Sequence, residues 1–315
     1  MPELPDVTIY IETIAARVVG QPLERIRFAS PFLLRSVDPP PAELEGRTVT
    51  GLRRVGKRIV FALEGDLFAV VHLMVAGRFR WDDKRGAKPP ARLGLAAFDF
   101  PSGTLLLTEA SKKKRAALHL VRGAPALAAH DPGGIEVLEA SPDAFAAALR
   151  SENHTLKRAL TDPRLFSGIG NAYSDEILHA ARLSPVQLTG KLSDADVARL
   201  HAATQATLRR WIATLRAEFA GRVPGAGEVT AFRPDFAVHG RYGKPCPDCG
   251  QPVQRIRYAD NETNYCPTCQ TGGRLLADRS LSRLLKADWP KTLEELEAFT
   301  ERRRVGGGSK IKDER

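Results

Sequence analysis

Cysteine is scarce in this sequence: four residues in 315, none of them before position 246. A small secreted fold stapled by disulfides would distribute its cysteines along the chain, so this pattern excludes such a framework and favours a metal site in a reducing compartment. No apolar run approaches the ~20 residues that span a bilayer. The opening does not pass from charged to apolar to small residues as a secretory leader does. The expected setting is therefore the cytosol, without membrane contact. Acidic residues are also in deficit, 37 against 47 Lys and Arg, which leaves a net charge of +10 and a pI of 9.7. That balance suits a polyanionic partner such as DNA. The length is enough for about two domains and a small extra module.

The first six residues, Met1-Pro2-Glu3-Leu4-Pro5-Asp6, admit two readings. If Met1 is removed, Pro2 becomes a free secondary amine with a carboxylate, Glu3, beside it, and such an amine can attack a sugar carbon through an iminium. Proline and acidic residues are equally what a helix start prefers, and Val7, Ile11, Ile14 and Val18 form an apolar stripe behind them, with Gly20 as a stop. Residues 25–28, 48–52, 58–63, 68–74, 93–98 and 104–108 then read as strands, with Pro101-Ser102-Gly103 as a turn. A sandwich of β-strands carrying one helix is the expected packing. Lys57 lies between two of these strands, where lysine is ordinarily solvated; His72 reads as a hydrogen-bonded core residue. The run Lys112-Lys113-Lys114-Arg115 serves equally as a solvated loop or a phosphate contact.

An Ala-, Pro- and Gly-rich stretch, 123–135, reads as a linker. Helices are expected beyond it: one starting at Ser141-Pro142, one marked by Leu156, Ala159 and Leu160, and a long one capped by Ser193 with Val197, Leu200, Thr204, Leu208, Trp211 and Leu215 inward. Between the last two, Gly168-Ile169-Gly170-Asn171 is either an ordinary turn or a backbone that receives phosphate at a helix N-terminus. Cys246-Pro-Asp-Cys249 and Cys266-Pro-Thr-Cys269 have the spacing that presents four thiolates to one structural Zn²⁺. Residues 253–258 between them alternate and predict a β-hairpin with Arg255 and Arg257 on one face.

Taken together, the opening hexapeptide, the stretch from Leu165 to Pro185 and the cysteine finger resemble, in order, the formamidopyrimidine-DNA glycosylase and endonuclease VIII family. The resemblance spans about residues 2–270. It implies an α+β, multidomain fold: an N-terminal β-sandwich with one helix (1–122), a linker (123–135), a helix-two-turn-helix domain (136–237), a zinc ribbon (238–271) and a C-terminal helical extension (272–315). It implies a base-excision repair enzyme that flips out an oxidised base, attacks with Pro2, shuttles protons with Glu3 and nicks the abasic site. Asp6, where the family usually has Glu, would orient this cluster. Lys57 and Asn171 would hold DNA phosphates. The sequence also departs from the family. Glu109-Ala110-Ser111-Lys112-Lys113 and Met74-Val75 stand where an Arg, a Phe and a Met enter the duplex, and Asn261 stands at the position of the finger arginine, with Arg255 or Arg257 as substitutes. These departures keep a second reading open, a damage-recognising DNA-binding protein without turnover. The expected state is a monomer, and the extension, read as helices at 280–286 and 291–302, either packs back or binds a protein partner.

Overall fold

The computed structural model describes residues 1–230, 232–258, 261–277 and 290–305. Helix α1 (Leu4–Val18) starts where the sequence predicts, with Pro5 in its first turn and the N–H of Glu3 meeting the Asp6 carboxylate. Its apolar surface exceeds one stripe because two domains use it. Val7, Tyr10, Ile14 and Val18 enter the β-domain core, Leu4 enters the helical core, and Ile9 packs against Leu215 and Phe219.

Strands β1 (Arg25–Phe28), β6 (Gly94–Phe100), β7 (Gly103–Glu109) and β5 (Gly77–Asp82) form one antiparallel sheet in that order. A second sheet runs β2 (Val49–Val55), β3 (Arg58–Leu63), β4 (Leu67–His72), β8 (Ala117–Arg122). Neither sheet is closed, and Phe61, Val71, Phe79, Phe98, Leu107 and Leu118 join them in one core. Strands β5 and β8 lie outside the strands expected from the sequence. Each alternates only over a short span, Phe79 and Trp81 against Arg78 and Arg80, and Leu118 and Leu120 against Ala117 and His119.

The stretch read as a linker contains a short helix, α2 (Ala124–Ala128), whose Leu127 packs on Val60, Phe68 and Val70. The second sheet is thereby covered on both faces, which explains the nearly continuous apolar run of β3 and β4. Beyond it lie α3 (Pro142–Arg150), α4 (Leu156–Thr161), α5 (Asn171–Ala180) and α6 (Asp194–Phe219). Ser141 and Ser193 cap α3 and α6 as their types predict, and all six expected inward residues of α6 are buried. The finger is a hairpin, β9 (Gln254–Tyr258) and β10 (Asn261–Tyr265), followed by α7 (Pro267–Thr271). The chain then turns back on it: Leu276 N–H donates to Tyr265 Oη at 2.8 Å and Leu275 N–H to the Lys291 carbonyl at 2.7 Å. Helix α8 (Leu293–Val305) follows, with Leu293, Leu296 and Phe299 half-buried between exposed glutamates. The helix expected at 280–286 lies outside the described residues. Among the described residues no helix is long and apolar enough to cross a membrane.

Candidate active site and nucleic-acid interface

The chemistry-bearing residues of the N-terminus meet the start of α5. Glu3 is buried, and its carboxylate accepts N–H bonds from Gly170 (2.7 Å), Ala172 (2.9 Å) and Tyr173 (3.2 Å). A helix N-terminus offers unpaired N–H groups and a positive dipole end, so a carboxylate there is strongly held. The main chain is fixed as well, since Leu4 N–H donates to the Gly168 carbonyl at 2.9 Å. The two glycines singled out in the sequence have a definite task. Gly168 has φ +84°, and a Cβ there would lie 2.9 Å from Leu4 Cβ; a Cβ on Gly170 would lie 2.4 Å from Glu3 Cδ. The turn receives a carboxylate of the protein itself, at the place where the sequence suggested a phosphate.

Asp6 completes the cluster. One oxygen accepts the Glu3 N–H at 3.0 Å, and the other pairs with Arg233 Nη2 at 3.0 Å. Burial raises the Asp6 pKa, and the charge of Arg233 opposes the shift. Pro2 is buried beside them. With Met1 in place, burial lowers the pKa of the terminal amine; Arg78 and Lys57 act in the same direction, while Glu3 and Asp6 oppose it. Lys57 is thus part of the cluster, and its own ammonium is pushed down by burial while Glu3 pulls it up. His72 is half-buried at the end of β4 rather than in the core, and burial together with Arg58 and Lys57 pushes it down to about 4, so it is neutral near pH 7.

Arg54, from β2, crosses between the domains to Ser167 Oγ at 2.9 Å and to Glu136, fastening the wall that carries Gly168. Asn171, the first residue of α5, donates its side-chain amide to the Glu262 carbonyl in the finger at 3.0 Å. Its neighbour Asp175 is fully buried and binds Lys157 Nζ at 2.5 Å, His239 Nδ1 at 2.7 Å and the Asn264 N–H at 3.0 Å. Glu176 takes the N–H groups of Ala237, Val238 and His239. One helix therefore holds the Glu3 carboxylate at its N-terminus and the finger along its side. None of Arg54, Arg78, Lys157, Asp175, Glu176 and Arg233 was singled out from the sequence. The one available signal was a pair of adjacent carboxylates, Asp175-Glu176, within one short helix.

The outlying basic residues are placed differently. Gly77 and Glu109 are paired in register, so the Met74-Val75 turn and the loop 110–116 project from the same end of one sheet. Val75 is 60% exposed there, and Met74 has φ +53°. Lys112 and Lys113 are exposed, whereas Lys114 folds back onto the carbonyls of Glu109 and Arg92. Arg255 stacks 4.1 Å over the Tyr242 ring and reaches Glu262 at 3.1 Å, and Arg257 reaches the same carboxylate at 3.6 Å. Both expected substitutes for the finger arginine thus share one acidic partner. Asn261 is exposed at the start of β10.

The four cysteine sulfurs all lie within 4.8 Å of one another, with Cys246 and Cys269 at 3.9 Å and Cys249 and Cys266 at 3.4 Å. Zn–S bonds of about 2.3 Å in a tetrahedron put sulfurs about 3.8 Å apart, so the set fits one structural zinc ion with no position left for water. His179 places Nε2 3.3 Å from Cys246 Sγ, and a ring protonated at Nε2 can donate to that thiolate, tying α5 to the metal site as well.

Three domain profiles match in chain order: the formamidopyrimidine-DNA glycosylase N-terminal domain over residues 1–120, the formamidopyrimidine-DNA glycosylase H2TH domain over 134–219, and the zinc finger found in FPG and IleRS over 243–272. The formamidopyrimidine-DNA glycosylase of Moorella thermoacetica is 34% identical over 262 residues, 82% of this chain and 95% of its own. The crystal structure of the Thermus thermophilus MutM (Fpg) protein aligns with a TM-score of 0.70 at 32% identity, covering 85% of this chain and 98% of that one. A Lactococcus lactis Fpg bound to DNA containing an oxidised pyrimidine aligns with a TM-score of 0.74 at 25% identity, covering 86% and 100%. With the sandwich, the helix-turn wall and the four-cysteine finger arranged around one buried N-terminus, the chain belongs to the formamidopyrimidine-DNA glycosylase family.

Proposed function

We propose that this family member excises oxidised bases from DNA and then nicks the strand through the amine of Pro2. The grip on Glu3 carries the reading: three backbone N–H groups from the start of α5 fix the carboxylate of the residue that follows Pro2, an arrangement no helix cap within α1 requires. The DNA-bound Lactococcus lactis relative supports damaged duplex as the partner. Removal of Met1 leaves a secondary amine at a buried position, where burial disfavours the protonated form. Its lone pair attacks the anomeric carbon of the flipped nucleotide, the glycosidic bond breaks, and the base leaves with a proton. The sugar ring opens to an iminium, the 2′ proton is lost, and the 3′ C–O bond breaks, nicking the strand. Glu3 protonates the opening ring oxygen and carries protons between these steps. Lys57 holds a phosphate next to the lesion.

The experiment is borohydride trapping on duplexes carrying oxidised bases or an abasic site. The Met1-processed protein is expected to give a covalent adduct mapping to Pro2, and acetylation of the terminus or a tag in front of Pro2 should abolish it. Trapping by the blocked protein would remove Pro2 from its role. Binding of damaged duplex without turnover or adduct would return the chain to the damage-recognition reading.

A second prediction concerns the end of the sheet that carries Val75 and the lysine loop. Valine there offers little to replace lost stacking, so a flatter opposite-base preference is expected, with relatively better action on bubble and single-stranded substrates. Changing Lys112, Lys113 and Lys114 together to Ala should weaken binding on all sequences. It should reduce the salt slope by about two, roughly 0.9 for each freely exposed lysine, because Lys114 is already bonded within the loop. A titration with an unchanged slope would place the loop off the DNA path.

A further inference from the structure

Glu3 is gripped at two ends, and the second grip depends on a residue far along the chain. Arg233 lies on the loop between α6 and the finger and is 7% exposed. Its Nη2 is 3.0 Å from Asp6 Oδ1, and Asp6, 5% exposed, uses its other oxygen for the Glu3 N–H. Among the described residues these are the only two hydrogen bonds to the Asp6 carboxylate. The guanidinium is otherwise lightly held. Its Nη1 reaches Glu218 at 3.4 Å, its Nε has no hydrogen-bond partner among the described residues, and its Cζ lies 6.0 Å from the Trp211 ring. A desolvated cation in this position persists because it faces a desolvated anion.

We propose that Arg233 is a positioning residue for the reacting N-terminus, a latch by which the loop leading into the finger holds the Asp6 side chain in place and so fixes the backbone of Glu3. The proposal rests on the reading of Pro2 and Glu3 as reacting groups. With Arg233 truncated, the Asp6 carboxyl loses one of its two hydrogen bonds and the charge that offsets its burial, so it is free to shift and its bond to the Glu3 N–H weakens. The Glu3 main chain can then shift although its carboxylate still touches α5. A displacement of a fraction of an ångström at a reacting group slows chemistry without weakening DNA binding, since neither Arg233 nor Asp6 is exposed to the duplex.

The experiment compares the processed protein with Arg233→Ala, Arg233→Lys, Asp6→Asn and the double change Asp6→Asn with Arg233→Ala. Single-turnover trapping on an abasic duplex and affinity for a duplex carrying an uncleavable abasic analogue are measured side by side. Arg233→Ala is expected to slow trapping about tenfold to a hundredfold, with affinity held within about twofold. Arg233→Lys, which keeps the charge, should recover most of the rate. The double change, which leaves no lone buried charge, should be no slower than Arg233→Ala alone, the mark of two residues acting as one unit. Wild-type trapping by Arg233→Ala overturns the latch, as does a loss equal in the Ala and Lys variants and matched by lost affinity. No adduct from the wild-type protein overturns the N-terminal reading and the latch with it; an adduct that Arg233→Ala forms equally fast overturns the latch alone.

Discussion

Gly170→Ala is expected to disable the enzyme although it adds a single methyl group. A Cβ at this position would stand 2.4 Å from Glu3 Cδ and 2.6 Å from Oε1, closer than atoms can approach. The start of α5 is packed on both sides, so Glu3 is the side chain that yields. In yielding it surrenders the N–H bonds from Gly170, Ala172 and Tyr173. A misplaced acid/base group costs about a hundredfold to ten-thousandfold in rate, on the order of 3 to 5 kcal/mol of barrier. Gly227→Ala is the control, since nothing lies within 4 Å of its added Cβ. The measurement is single-turnover base excision beside DNA affinity. The rate should collapse in Gly170→Ala, stay normal in Gly227→Ala, and affinity should change little in either. Normal excision by Gly170→Ala would mean that the chemistry does not need Glu3 where α5 holds it.

Only part of this contact is legible in the sequence. The Gly-x-Gly-Asn stretch was legible as a turn needing bare backbone, because glycine and a helix start have local causes. What the bare backbone approaches is a side chain 167 positions away, and no periodicity carries that information. The same division holds elsewhere. The sandwich, the capped helices α3 and α6 and the cysteine finger follow from alternation, caps and ligand spacing, each contained within a few residues. Strands β5 and β8 escaped because each alternates only over a short span, and in β8 the outward Ala117 and His119 are not a clean polar set. Asp6 with Arg233, and Asp175 with Lys157 and His239, are pairings between separate stretches of the chain, visible only once the fold brings them together. Burial matters here as much as proximity. A carboxylate at 0% exposure such as Asp175 is tolerated only because three residues, Lys157, His239 and Asn264, surround it with hydrogen-bond partners.

Helix α5 accordingly joins two functions that the sequence presented as separate motifs. Its N-terminus fixes Glu3, while Asn171, Asp175 and Glu176 fix the hairpin and the lead-in to the finger. Rearrangement of the finger on DNA would be felt first at these bonds, close along the helix to the N–H groups that hold the reacting carboxylate. Apolar residues of the helical core, including Tyr173 and Ile177, pack around that turn.

Zinc removal should therefore have a larger reach than the finger itself. Structural zinc contributes on the order of 10 kcal/mol or more to the folding of such small modules, and apart from the cysteines the cluster that encloses the site is small, chiefly Val238 and Val253 with Ala237 at its edge. Without the metal the hairpin has too little apolar burial to persist. Asp175 then loses the Asn264 N–H and Asn171 loses the Glu262 carbonyl, each broken buried bond costing about 1 to 3 kcal/mol. The β domain and the α1–α6 packing contain no zinc ligand and should remain folded. Purified protein is expected to hold one zinc per chain. Cys249→Ser, which changes the exposed member of the set, or exhaustive chelation should release it and weaken binding of damaged duplex at least tenfold, about 1.4 kcal/mol. Helical circular dichroism should fall only slightly, because α1 and α3 to α6 lie outside the finger. Metal analysis, duplex titration and circular dichroism on the same samples decide the matter: zinc-free protein that binds damaged duplex as tightly as the holoprotein would show that the finger is not held by metal.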